Sequence, residues 1–78
     1  MRSTLRELPL HEDAVVHEVR LLPELAEWLS AVGLEPGVRV RVLRRAVLGG
    51  PLHVRTGDDG EFAVARSVAA SIVVTRGG

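Results

Sequence analysis

Cysteine, lysine and tyrosine are all missing from this 78-residue chain. Without cysteine there are no disulfides and no thiolate metal sites. Nucleophilic catalysis is left with the serines Ser3, Ser30, Ser67 and Ser71, none in a Gly-x-Ser-x-Gly setting. They read as ordinary polar or capping serines. Aromatics are nearly missing too, Trp28 and Phe62 being the only two. The formal net charge is zero, which disfavours a domain built chiefly to grip nucleic acid. No apolar run approaches the roughly 20 residues that span a bilayer, and the Met1–Glu7 opening lacks the apolar stretch of a secretory signal. These absences point to one soluble, cytoplasmic domain over residues 1–78 that works by binding rather than by catalysis.

What is present is aliphatic: 46 % of residues are hydrophobic, mostly Val, Leu and Ala. Val favours strands because its branched Cβ suits a pleated, half-buried surface. Thr4 and Glu7 have the spacing of a capping box for a single turn that Pro9 ends, with Leu5 and Leu8 as anchors on the core. His11-Glu12-Asp13 is a polar turn. Ala14–Leu22 is the first strand, with Val15, His17 and Val19 on one face and Val16 and Glu18 on the other. A helix follows over about residues 23–32. Pro23 opens it, the stripe of Leu22, Leu25, Ala26, Leu29 and Val32 faces the core, and Gly33 stops it. Trp28 lies about one residue off that stripe, either as a flank of the core or as an exposed anchor for a partner.

Glu35-Pro36-Gly37 is a turn into the cleanest strand, Val38–Arg45. Val38, Val40 and Val42 face inward, Arg39 and Arg41 outward, and Leu43 breaks the alternation as a bulge would. A turn through Gly49, Gly50 and Pro51 leads to the strand Leu52–Thr56. Gly57-Asp58-Asp59-Gly60 is a hairpin signal, and Glu61–Ala65 returns. A short turn over Arg66–Ala70, a last strand Ser71–Thr75 and a frayed Gly77-Gly78 tail complete the chain. The expected fold is mainly β: a small SH3-like, five-stranded, partly open barrel with one inserted α-helix.

Two groups carry the candidate chemistry. Arg39, Arg41, Arg44 and Arg45 form a basic stripe, either a solvated face or a contact for an acidic partner surface. His11, Asp13 and His17 are the candidate metal ligands within a His/Glu/Asp cluster of eight residues, for Fe²⁺, Mn²⁺ or Zn²⁺. Their spacing matches no metal motif, and a solvated loop is the plainer account. Gly49-Gly50-Pro51 lacks the Gly-Lys-Ser/Thr ending of a phosphate loop.

In order, Thr4-Leu5-Arg6-Glu7-Leu8-Pro9, Gly33-Leu34-x-Pro36-Gly37 and Leu48-Gly49-Gly50-Pro51-Leu52 resemble the FeoA family, as does the closing Ala69-Ala70-Ser71-Ile72-Val73-Val74. The resemblance spans nearly the whole chain. It implies a small cytosolic SH3-like protein that contacts the cytosolic, nucleotide-hydrolysing part of the transporter FeoB and supports Fe²⁺ uptake, with no catalysis of its own. Gly33, Pro36, Gly37, Gly49, Gly50 and Pro51 carry over as structural turn positions. The chain departs from the family in its helix, commonly Arg-rich there but Pro-Glu-Leu-Ala-Glu-Trp-Leu-Ser here, and at Val47, where Pro is common. The closing module of iron- and manganese-dependent repressors is similar as well, so a metal- or partner-binding module of that type is the alternative reading. A structural homo-oligomer packed through Trp28 is a third.

Overall fold

The computed structural model describes residues 1–57 and 60–76. The expected hairpin residues Asp58 and Asp59 and the tail Gly77-Gly78 lie outside the described residues. The elements are β1 (Arg2–Thr4), a 3-10 turn (Leu5–Glu7), β2 (Asp13–Val19), α1 (Pro23–Ala31), β3 (Arg39–Arg45), β4 (Leu52–Thr56), β5 (Gly60–Val64), α2 (Arg66–Ala69) and β6 (Ile72–Arg76). The strands form one antiparallel sheet in the order β1-β6-β2-β3-β4-β5.

The sheet therefore has six strands among the described residues, not the expected five. The addition is β1, which pairs Arg2 with Thr75, Ser3 with Val74 and Thr4 with Val73. Three residues with one apolar neighbour give no alternation for a sequence pattern to register. Met1 and Arg76, the first and last described residues, meet around it. Arg76 N–H donates to the Met1 carbonyl at 2.8 Å, and the Arg76 guanidinium grips Glu12 in a bidentate pair at 2.7 and 2.9 Å.

The 3-10 turn forms where expected, and Leu5 and Leu8 are fully buried. The capping box does not. Thr4 makes no side-chain bond to the backbone; its hydroxyl donates to Glu7 Oε1 at 3.2 Å.

A single inward stripe of aliphatic residues runs across the strands: Ala14 and Val16, Val40 and Val42, Leu52 and Val54, Val64, then Ile72 and Val74. Two bulges reset this parity. In β2 the register shifts between Val16 and Glu18, so His17 is the extra residue. Val15 and His17 are exposed while Val19 packs against the core. The expected shared face of Val15, His17 and Val19 is thus broken at His17. In β3 the shift falls between Val42 and Arg44, with Leu43 the extra residue, as its break in alternation predicts.

Helix α1 starts at Pro23 and ends in a Schellman motif. Leu34 N–H donates to Leu29 O at 2.8 Å and Gly33 N–H to Ser30 O at 3.0 Å. Gly33 sits at φ +97°, and the apolar pair of the motif, Leu29 and Leu34, is buried. Leu29 is the one buried residue of the helix. The expected core stripe is therefore wrong for most of its members: Leu22, Leu25 and Val32 are exposed. One anchor beside the loop residue Leu34 suffices to hold a nine-residue helix, because Leu5, Leu8 and Leu34 already cover the sheet. No described helix is long and apolar enough to cross a membrane.

Gly33 and Gly37 separate conformational cost from crowding. Both have left-handed φ, +97° and +94°. A Cβ at Gly37 meets nothing, whereas one at Gly33 would lie 3.1 Å from Thr56 Oγ1. Gly37→Ala is expected to cost about 1–2 kcal/mol through backbone strain alone. Gly33→Ala should cost distinctly more, and urea unfolding of the two variants checks the order.

Candidate partner-binding surfaces

The outer face of β2–β5 carries one continuous row of charge. Strand register places Asp13 opposite Arg41, Arg41 opposite Arg55 and Arg55 opposite Glu61. The two arginines adjoin at the centre, where like charges repel, and each turns to the carboxylate on its other side. Arg41 Nε donates to Asp13 Oδ1 at 2.8 Å, and Arg55 Nη2 donates to Glu61 Oε2 at 2.9 Å. His53 Nε2 lies 3.0 Å from Glu61 Oε1. Arg39, Arg41 and Arg55 line a small open groove with Asp13 and Gly57.

The proposed stripe of four arginines is divided by the bulge at Leu43. Arg39 and Arg41 stay on the outer face. Arg44 pairs with His53, and His53 shares a face with Arg55, so Arg44 joins them. Its side chain has no hydrogen bond or ion pair among the described residues. Arg45 lies opposite the buried Leu52 and turns the other way. Its Nη2 donates to the Arg6 carbonyl at 2.8 Å and also to the Leu8 carbonyl. It braces the N-terminal turn and is not part of the outer stripe. Arg55 and Glu61 were absent from the candidates, although their alternate positions on two hairpin-linked strands were the signal for them.

Trp28 takes the exposed alternative, at 59 % of its surface. It shares its side of α1 with Leu25 and Val32, at spacings of three and four residues. Glu24 and Glu27 flank that face, and the last turn holds no basic residue.

The candidate metal ligands are not assembled. His11 sits at φ +63° in the turn before β2 with its N–H donated to Val42 O at 2.8 Å. His17 is at the β2 bulge, and the Asp13 carboxylate is held by Arg41. Among the described residues, no three His, Cys, Asp or Glu side chains are grouped to hold a metal ion. These residues do not fit such an ion. Of the turn positions, Gly33, Gly37 and Gly49 have positive φ. At Gly50 a Cβ would meet Ala46 Cβ at 2.7 Å.

This architecture is that of a small SH3-like domain. The FeoA domain model matches residues 3–76, and the chain belongs to the FeoA family. It is 38 % identical to the FeoA of Stenotrophomonas maltophilia, solved as a zinc complex and described as a procaryotic SH3-domain protein. That match covers 92 % of this chain and 88 % of the other at a TM-score of 0.76. FeoA from Chlorobium tepidum is 30 % identical, covering 97 % and 71 % at a TM-score of 0.88. A manganese-dependent transcriptional repressor shares the fold, at 20 % identity and a TM-score of 0.84, over 96 % of this chain and 41 % of the repressor. No curated protein matches the chain.

The charge row makes a pH prediction. The Arg55 hydrogen bond, reinforced by His53, lowers the Glu61 pKa from its ordinary 4.5. The Arg41 hydrogen bond does the same for Asp13, ordinarily 3.8. Because the folded values are depressed, the stabilisation is present above the ordinary values and is lost as pH falls through the folded ones. Arg55→Gln should move the Glu61 titration midpoint up towards 4.5 and leave that of Asp13 in place, as read from carboxyl ¹³C shifts. An unmoved Glu61 midpoint would show that the pair does not form in solution.

Proposed function

We propose that this chain is a non-catalytic cytosolic accessory protein of ferrous iron uptake, which binds and regulates the cytosolic domain of a FeoB-type transporter. FeoA membership implies a part in ferrous iron transport, and the match over residues 3–76 is the observation that carries the reading. A binding role suits the residues. The chain lacks Cys, Tyr and Lys, and one side of α1 exposes Leu25, Trp28 and Val32 together. Trp ranks first among interface anchors because it buries much area at little conformational cost. In this reading Leu25, Trp28 and Val32 meet an apolar patch on the transporter. Arg39, Arg41 and Arg44 meet acidic groups around it, steering the encounter more than fixing its strength.

Titration of the full chain with the purified cytosolic domain of a FeoB-type transporter, free and loaded with GDP or a GTP analogue, tests this. Binding that weakens about 30-fold in Trp28→Ala, the effect of losing one hot-spot side chain, is the expected result. An absence of binding in all three nucleotide states would remove the reading. If Trp28→Ala instead dissociates a self-assembled form of the wild type, the helix face belongs to copies of this chain.

A further inference from the structure

The opposite side of the Leu43 bulge carries a second cationic surface. Arg6 follows β1, Arg45 ends β3 and Arg66 opens α2, and the three line one open groove of about 430 Å³ with Glu7 and Leu52. Their electrostatic situation differs from that of the outer row. Arg6 and Arg66 have no carboxylate partner among the described residues. Arg66 Nε is enclosed and has no hydrogen-bond acceptor there, an expensive state for a charged donor. Arg45 gives its hydrogen bonds to neutral carbonyls and keeps its charge uncompensated. Glu7, the one acid in the groove, accepts from Thr4. In a chain of zero net charge, three guanidiniums against one carboxylate is a marked local excess.

Arg6 and Arg66 also wall a second groove of about 670 Å³, whose other lining includes Gly49, Gly50, Pro51 and Ala65. This one is predominantly apolar. Beside it the β3–β4 turn holds Val47 and Leu48 out in solvent, with Leu48 at φ +58°. A left-handed conformation is uncommon for a bulky side chain.

We infer that Arg6, Arg45 and Arg66 form a docking cradle for an acidic, extended segment of a partner protein, with the apolar groove at Pro51 taking the neighbouring apolar residue. Planar guanidiniums match carboxylate geometry, and those of Arg6 and Arg66 have no carboxylate of this chain to give up first among the described residues. The continuity of the cationic and apolar grooves selects a peptide over a small ion, which would leave the apolar wall uncovered. The inference stands apart from the transporter reading, since its test uses a peptide and not the transporter.

The probe is the blocked peptide acetyl-Leu-Glu-Leu-Asp-Leu-amide, titrated into the full ¹⁵N-labelled chain. Its Gln/Asn counterpart and inorganic phosphate are the comparison arms. The acidic peptide should shift the Nε–Hε signals of Arg6 and Arg66 and the backbone signals of Gly49 and Gly50, with affinity that falls as salt rises. Arg66→Gln should weaken it about tenfold, the loss of one charge-assisted contact. The exposed Arg6→Gln, which leaves the core untouched, should weaken it as well if Arg66→Gln perturbs folding. Equal binding of the Gln/Asn peptide overturns the proposal. So do shifts confined to Arg39, Arg41 and Arg55, or phosphate binding as tight as that of the acidic peptide.

Discussion

The alternation of side chains along β2 and β3, interrupted once in each strand, decides which side of the sheet the charged groups of these two strands reach. A strand sends successive residues to opposite faces, and one extra residue exchanges the faces beyond it. In β3 the extra residue is Leu43. Before it, Val40 and Val42 enter the core while Arg39 and Arg41 face solvent. Beyond it, Arg44 remains outside and Arg45 passes to the other side, where it reaches the carbonyls of Arg6 and Leu8. Were Leu43 held in the regular ladder instead of bulged out of it, the Arg44-Arg45 pair would take the opposite orientation, and the N-terminal turn that seats Leu5 and Leu8 would lose its brace.

The same parity explains what could be seen in the sequence. Val38 to Val42 alternates without interruption, so β3 and its inward face are legible, and so is the break at Leu43. The valine pair and mixed polar residues of Ala14–Val19 fit either register, and the bulge at His17 leaves no mark in residue type. The helix misleads for a different reason. Leu22, Leu25, Leu29 and Val32 have a helical period, but a period says which residues share a side and not what lies opposite. Here Leu29 reaches the core and Trp28 faces outward. The turn residues were the most legible of all, because positive φ at Gly33 and Gly37 and crowding at Gly50 restrict the side chain directly.

The candidate sites were partly legible. Trp28 and the outer arginines stand out by type, in a chain with one tryptophan and no lysine. Their partners do not, since pairing Asp13 with Arg41 and Arg55 with Glu61 depends on strand order and register. For the same reason His11, Asp13 and His17 are close in sequence without forming a ligand set. A turn, a strand start and a bulge separate their roles, and Arg41 takes the carboxylate.

Two arginine groups of similar size thus end in different electrical states. On the outer face, cross-strand carboxylates meet Arg41 and Arg55, and exposed pairs of this kind contribute little to stability because water screens them. Their main effect is to hold the guanidiniums in place. On the other face, the elements that bring Arg6, Arg45 and Arg66 together are a turn, a strand end and a one-turn helix, and Glu7 is the single acid they add to the groove. Neutral overall charge therefore conceals two cationic faces: Arg39, Arg41, Arg44 and Arg55 against Asp13 and Glu61 where the sheet is regular, and Arg6, Arg45 and Arg66 against Glu7 where the irregular segments converge. What differs is the state of the guanidiniums: Arg41 and Arg55 are tied to cross-strand carboxylates, whereas Arg6, Arg45 and Arg66 hold no carboxylate among the described residues, so an acidic group of a partner meets no competitor at the second face.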